Sequence, residues 1–145
     1  MKTFIFKTNL LESKKIVREI EILENANLYK LAEAVVDAYD FDFDHAFGFY
    51  SSMEEDYFKS KRMYELFADM VNQGIEPTDA KSVEKTKIGE VWEKLGDKMM
   101  MLFDYGDGWR FSIELKAFGE KIPKTKYPRV LKTVGTAPEQ YPDFG

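Results

Sequence analysis

The residues best placed to do chemistry lie in the run Phe103-Asp104-Tyr105-Gly106-Asp107-Gly108-Trp109. Asp104 and Asp107 are three positions apart, and hard divalent cations take oxygen ligands. The tail would supply a further oxygen from Glu139 or Asp143. Mg²⁺ or Mn²⁺ held by Asp104, Asp107 and Glu139 would activate water, which is the chemistry of a hydrolase or nuclease. The same aspartates have a structural reading, because Asp beside a turn accepts hydrogen bonds from backbone N–H groups and fixes the turn. Gly106 and Gly108 serve the backbone on either reading. Trp109 reads as packing at the core or its lip, or as a stacking platform if the turn is exposed.

Three other sets compete with this one. Asp40, Asp42 and Asp44 open like a calcium loop, but His45 and Ser51 stand where an EF-hand needs glycine and glutamate. In extended chain the three carboxylates share a face opposite Phe41 and Phe43, as an acidic, solvated edge. His45 is the single histidine, so no multi-histidine metal site exists, and it reads as structural at a strand start. No G-x-S-x-G elbow accompanies it. Lys116, Lys121, Lys124, Lys126, Arg129 and Lys132 form a basic strip interrupted by one acid, Glu120. The strip carries +5 and leaves −10 for the rest of a chain whose net charge is −5. It would meet phosphates or an acidic protein, or simply offset the acidic remainder. No glycine-rich phosphate loop is present.

The elements that must position these residues follow from periodicity. Met99–Leu115 reads as two apolar strands joined by a tight turn at Asp107-Gly108. Thr3–Thr8 and Ile16–Ile22 alternate as strands, with Arg18 breaking the pattern. Leu28, Leu31, Ala32, Val35 and Tyr39 recur at helical spacing behind Asn25 or Asn27 as N-cap. Ala46–Tyr50 is an aromatic strand and Arg129–Val134 a last short one. Two further helices are predicted over Asp56–Asn72 and Thr86–Leu95, each followed by a terminating glycine. Gly119–Pro128 reads as a polar loop, and the tail from Gly135 as irregular. The order predicts an α+β fold: a mixed, mostly antiparallel sheet with two or three helices on one face, as a single domain over residues 1–145.

Composition sets the outer bounds. Apolar residues make up 44% of the 145 and charged residues 32%, ordinary for a globular protein with a real core. Aromatics at 15% imply a core built from large rings. The absence of cysteine removes disulfides and thiolate metal sites and points to the cytoplasm. No apolar run approaches the ~20 residues of a membrane helix, and the N-terminal patch is a poor signal peptide.

The Phe103–Trp109 run resembles the Y-D-F-G-D-x-W signature of the plasmid pRiA ORF-3-like family. Lys15–Glu21 with Arg18, Leu28–Asp44 followed by His45, and Tyr127-Pro128-Arg129 with Gly135–Gly145 agree with that family in order. Members are carried on plasmids, mobile elements and chromosomes, and some are labelled transposon passengers or resolvase-like. Two positions depart from the pattern. Phe111 stands where the family commonly has a histidine, and Ala137-Pro138-Glu139-Gln140 lacks the second acid of the closing segment. The resemblance implies a protein of undefined biochemistry. The expectation is a non-enzymatic binding or regulatory module, with the tail folded beside the Asp104–Trp109 turn. It needs no cofactor and meets a protein or nucleic acid through the basic strip. The alternative is the Mg²⁺- or Mn²⁺-dependent hydrolase or nuclease. A third reading, a single-stranded nucleic-acid binder, ranks last, because it needs several exposed rings beside the strip and amphipathic spacing places most rings in the core.

Overall fold

A computed structural model describes residues 1–54, 56–66 and 80–142. Its frame is one eight-stranded sheet: β1 (Lys2–Leu10), β2 (Val17–Leu23), β3 (Phe47–Tyr50), β4 (Met63–Glu65), β5 (Lys81–Ser82), β6 (Lys98–Phe103), β7 (Trp109–Glu120) and β8 (Arg129–Val134). The order across the sheet is β5-β4-β3-β6-β7-β1-β2-β8. Every pairing is antiparallel except β4 with β5. The α+β, mostly antiparallel reading holds.

One α-helix, α1 (Leu28–Ala38), lies among the described residues, fewer than the two or three expected. Asn27 is its N-cap, and its side chain accepts from the Lys30 amide. Leu28, Leu31, Ala32, Val35 and Val36 form its buried stripe. They pack on Phe4, Phe6, Ile20, Ile22, Met99, Met101, Phe111 and Ile113 from the sheet. Burying large side chains of this kind is worth roughly 1.5–3 kcal/mol each.

Two helix expectations need correction. Residues 63–65 of the Asp56–Asn72 segment form β4, where Tyr64 turns into the core while its neighbours Met63 and Glu65 are only half-buried; residues 67–72 lie outside the described residues. Within Thr86–Leu95 only a 3₁₀ turn forms, Ile88–Glu90. Ile88, Val91 and Trp92 are buried, but Leu95 is 56% exposed, so the apolar spacing reflects one turn that drops three side chains into the core. The loop expected over Gly119–Pro128 begins later, because β7 runs on to Glu120 and pairs with Lys2.

The opposite face of the sheet is partly polar. Glu19 and Glu21 are buried there, on the face of β2 opposite Ile20 and Ile22. Lys116 Nζ meets Glu19 at 2.8 Å, and Arg129 meets Glu21 at 2.7 Å, with Thr3 Oγ1 donating to Glu21 at 2.6 Å. Farther along, the Tyr50 hydroxyl donates to Glu65 and lies 2.6 Å from the Tyr105 hydroxyl.

Candidate functional site

The register of β3 against β6 sets the centre of the site. Phe47 lies opposite Phe103, and one step further the Asp104 amide donates to the Ala46 carbonyl at 2.9 Å. That step brings His45 beside Asp104. His45 Nε2 lies 3.4 Å from Asp104 Oδ2 and 3.7 Å from Asp44 Oδ1.

Asp104 also holds the turn. It is buried and has a φ of 64°, a left-handed conformation that Asp tolerates better than most residues. Its Oδ1 accepts from the amides of Gly106 at 3.1 Å and Asp107 at 3.2 Å, and its carbonyl accepts from Gly108 at 2.6 Å. Gly108 has a φ of 72° and closes the turn. Asp107 gives its amide to this arrangement, while its carboxylate makes no hydrogen bond or ion pair among the described residues. Trp109 packs its ring on Phe41, with centroids 4.8 Å apart, and its buried Nε1 has no hydrogen-bond partner among the described residues. It sits at the lip of the core.

The tail folds back onto this corner. Gln140 is buried; its Oε1 accepts from the Asp42 amide at 2.7 Å, and its Nε2 donates to the Asp42 carbonyl at 3.1 Å. The Tyr141 hydroxyl lies 2.5 Å from His45 Nε2 and donates to Asp44 at 3.0 Å. Desolvation of that hydroxyl, then its bond to Asp44 and the charges of Asp44, Asp104 and Asp107, push its pKa up to about 12. The chemistry on offer is a directed hydrogen-bond chain from an imidazole through a phenol to a carboxylate. The Asp40–Asp44 stretch alternates as expected, with Phe41 and Phe43 turned inward and the three aspartates exposed.

Other sequence candidates are not brought together here. Glu139 is exposed and makes no polar contact with Asp104 or Asp107. Asp143 lies outside the described residues. Among the described residues no three His, Asp or Glu side chains form a metal-binding group.

The basic strip divides. Lys116 and Arg129 are held by Glu19 and Glu21, and Lys132 lies opposite Glu19 in the β2–β8 register. Lys121, Lys124 and Lys126 stay exposed on the β7–β8 loop. That loop ends at the cis Tyr127-Pro128 bond, which walls a groove of about 430 Å³. Lys30, Lys85 and Lys87, with one acid, Glu84, line the other side, and Asn25 and Asn27 line its end. The Tyr127 hydroxyl accepts from the Ile122 amide at 3.0 Å and fixes the ring. The first amides of α1 are already bonded, to Thr86, Val83 and Asn27, so the groove's positive charge comes from lysines.

Sequence reasoning named Asp104 and the basic loop. It missed the Asp44–His45–Tyr141 contacts and the three lysines across the groove. The tyrosine had no signal beyond its place in the tail, and the lysines are scattered over α1 and the 84–87 turn.

No helix among the described residues is long and apolar enough to cross a membrane. No curated protein matches the chain. A solved structure, a protein of unknown function, MM3350 from Methanosarcina mazei Go1, superposes with a TM-score of 0.73 at 18% identity, covering 94% of this chain and 71% of that one. The likeness fixes the fold. The family model described as plasmid pRiA4b ORF-3-like protein matches residues 2–142, and the chain belongs to that family.

Proposed function

We infer that the protein is a non-enzymatic binding module that holds a single-stranded nucleic acid by its phosphates, along the β7–β8 loop and the groove beside it. One observation carries this reading: lysines from two separate segments line one groove, and the loop that ends at its Tyr127–Pro128 wall carries three more exposed lysines. Lys121, Lys124 and Lys126 stand on the loop leading to one wall, and Lys30, Lys85 and Lys87 line the other. The ion pairs of Lys116 and Arg129 remove those two side chains from the binding set. Tyr127 offers a fixed ring at the groove wall, and a ring beside a cationic track is how strands are held with little sequence preference. The acidic remainder disfavours wrapping long duplex and confines binding to this patch.

A metal-dependent hydrolase built on Asp104, Asp107 and Glu139 has less support. Asp104 is committed to two backbone amides and to His45, and Glu139 makes no polar contact with it.

The test is fluorescence anisotropy with labelled single-stranded DNA of about 20 nucleotides, spanning more than one site of the usual size. Affinity should fall log-linearly with salt. Lys124→Glu with Lys126→Glu should weaken binding and make the salt slope shallower by about 1.4, the share of two phosphate contacts on a single strand. Equal binding by wild type and double variant, or no binding at low salt, eliminates the reading.

A further inference from the structure

We propose that the free edge of β8, with the acidic trough beside it, docks an extended basic segment of a partner protein, which joins the sheet as an added strand. This surface borders the lysine groove at Pro128 but uses other side chains, and it stands or falls independently of the nucleic-acid reading.

β8 ends the sheet order, and among the described residues no strand pairs with its outer side. Val130, Leu131 and Val134 on this edge are 40–47% exposed. An unpaired edge with exposed apolar side chains is a template for strand addition. The edge is guarded against indiscriminate pairing. Pro128 precedes it, Lys132 lies on it, and the register shift against Glu19 and Ile20 leaves Leu131 without a partner in β2. Such guards leave the choice of occupant to the flanking chemistry.

That chemistry is anionic. Between α1 and the 41–43 segment runs a trough of about 390 Å³ that reaches Pro128 at the foot of β8, and its lining includes Glu33, Asp37 and Asp42 with Phe41 and Phe43. A smaller pocket of about 50 Å³ continues it past Ala34 and Pro128 to Val130. The basic side chain at the strand side, Arg129, is already held by Glu21 at 2.7 Å. Lys30 offsets Glu33 across 3.7 Å of exposed surface, which screening makes weak. An incoming strand projects alternate side chains to one face. Lysines or arginines on that face would meet Glu33, Asp37 and Asp42, while apolar residues would cover Val130. A second copy of this chain is a poorer occupant. Antiparallel β8–β8 pairing sets both α1 flanks, each with Glu33 and Asp37, on the same face of the junction.

The probe is a capped peptide of alternating valine and lysine, about eight residues long, an ordinary strand length. A valine–glutamate peptide is its control. Nuclear magnetic resonance on the intact chain should show the lysine peptide shifting residues 129–134 and slowing amide exchange along β8. Glu33→Lys with Asp37→Lys alters two exposed side chains outside the core and should weaken the lysine peptide about tenfold or more, while admitting the glutamate peptide. The proposal is overturned by unchanged affinity in that variant. Shifts confined to the Lys30–Lys85–Lys87 groove, no binding at all, or a peptide-free dimer paired through β8 would overturn it equally.

Discussion

Arg18 closes the C-terminal end of α1 by donating from Nε to the Ala38 carbonyl at 3.0 Å. Its Nη1 donates to the carbonyls of Val17 and Val134, both at 2.9 Å, and its guanidinium lies 5.0 Å from the centre of the Tyr39 ring. A cation at this end of a helix opposes the partial negative charge of the terminal carbonyls. Here it also ties α1, β2 and β8 together while itself buried. Arg18→Met keeps much of the stem but strands three carbonyls. Stability to urea should fall by about 3 kcal/mol. A loss below about 1 kcal/mol would show that water replaces the guanidinium without cost.

The two aspartates of the signature turn should separate cleanly. Asp104→Ala removes the acceptor of two amides and leaves alanine at positive φ, so it should cost about 2 kcal/mol. Asp104→Asn keeps an acceptor and tolerates the conformation, so it should cost less than half as much. Asp107→Ala should change stability by no more than about 0.5 kcal/mol, because its carboxylate holds nothing in the turn. Chemical denaturation of the three variants checks the order; a costly Asp107→Ala would reverse the assignment.

Alkaline titration reads the tail contact. Tyr141 ionises near pH 12 in the folded chain, above the ordinary tyrosine value of about 10. The fold therefore favours the protonated phenol. Its contribution is complete below the unfolded value and is lost as pH rises through the folded one. Ultraviolet phenolate absorbance should show one tyrosine titrating near 12 that disappears in Tyr141→Phe. In Asp44→Asn its midpoint should move down towards 10. A Tyr141 midpoint indifferent to Asp44 would mean the tail does not rest there in solution.

Gly48 is tightly packed on the face of the sheet opposite α1. A Cβ there would stand 2.6 Å from the Tyr50 hydroxyl and 2.7 Å from that of Tyr105. Burial, the neighbouring Tyr105 and the bond to Glu65 all hold the Tyr50 phenol protonated, so both hydroxyls stay in the network. Gly48→Ala should force the rings aside and cost about 2–3 kcal/mol. Adding Tyr50→Phe, which removes one of the two oxygens, should recover part of that loss in a double-mutant cycle.

Much of this frame could be read before folding, because it rests on local periodicity. The strand alternation of Phe4 and Phe6, the helical stripe from Leu28 to Tyr39 and the Asp107-Gly108 turn each carry their own signal. Contacts across the sheet carry none. His45 meets Asp104 because β3 and β6 share a register, and Lys116 meets Glu19 across β1, which lies between β7 and β2. The Ile88–Trp92 spacing shows the reverse failure, in which a helical pattern comes from a single 3₁₀ turn.

The place of β1 between β2 and β7 has a kinetic consequence. β2 follows β1 closely, but Phe4 lies opposite Phe118, near the far end of the sequence. Closing that pairing costs the entropy of a loop spanning most of the chain, and pairings of this kind slow folding. The β1–β2 and β6–β7 hairpins can each form locally in microseconds. The rate-limiting event should then be their meeting along β7, the strand that belongs to both halves of the sheet.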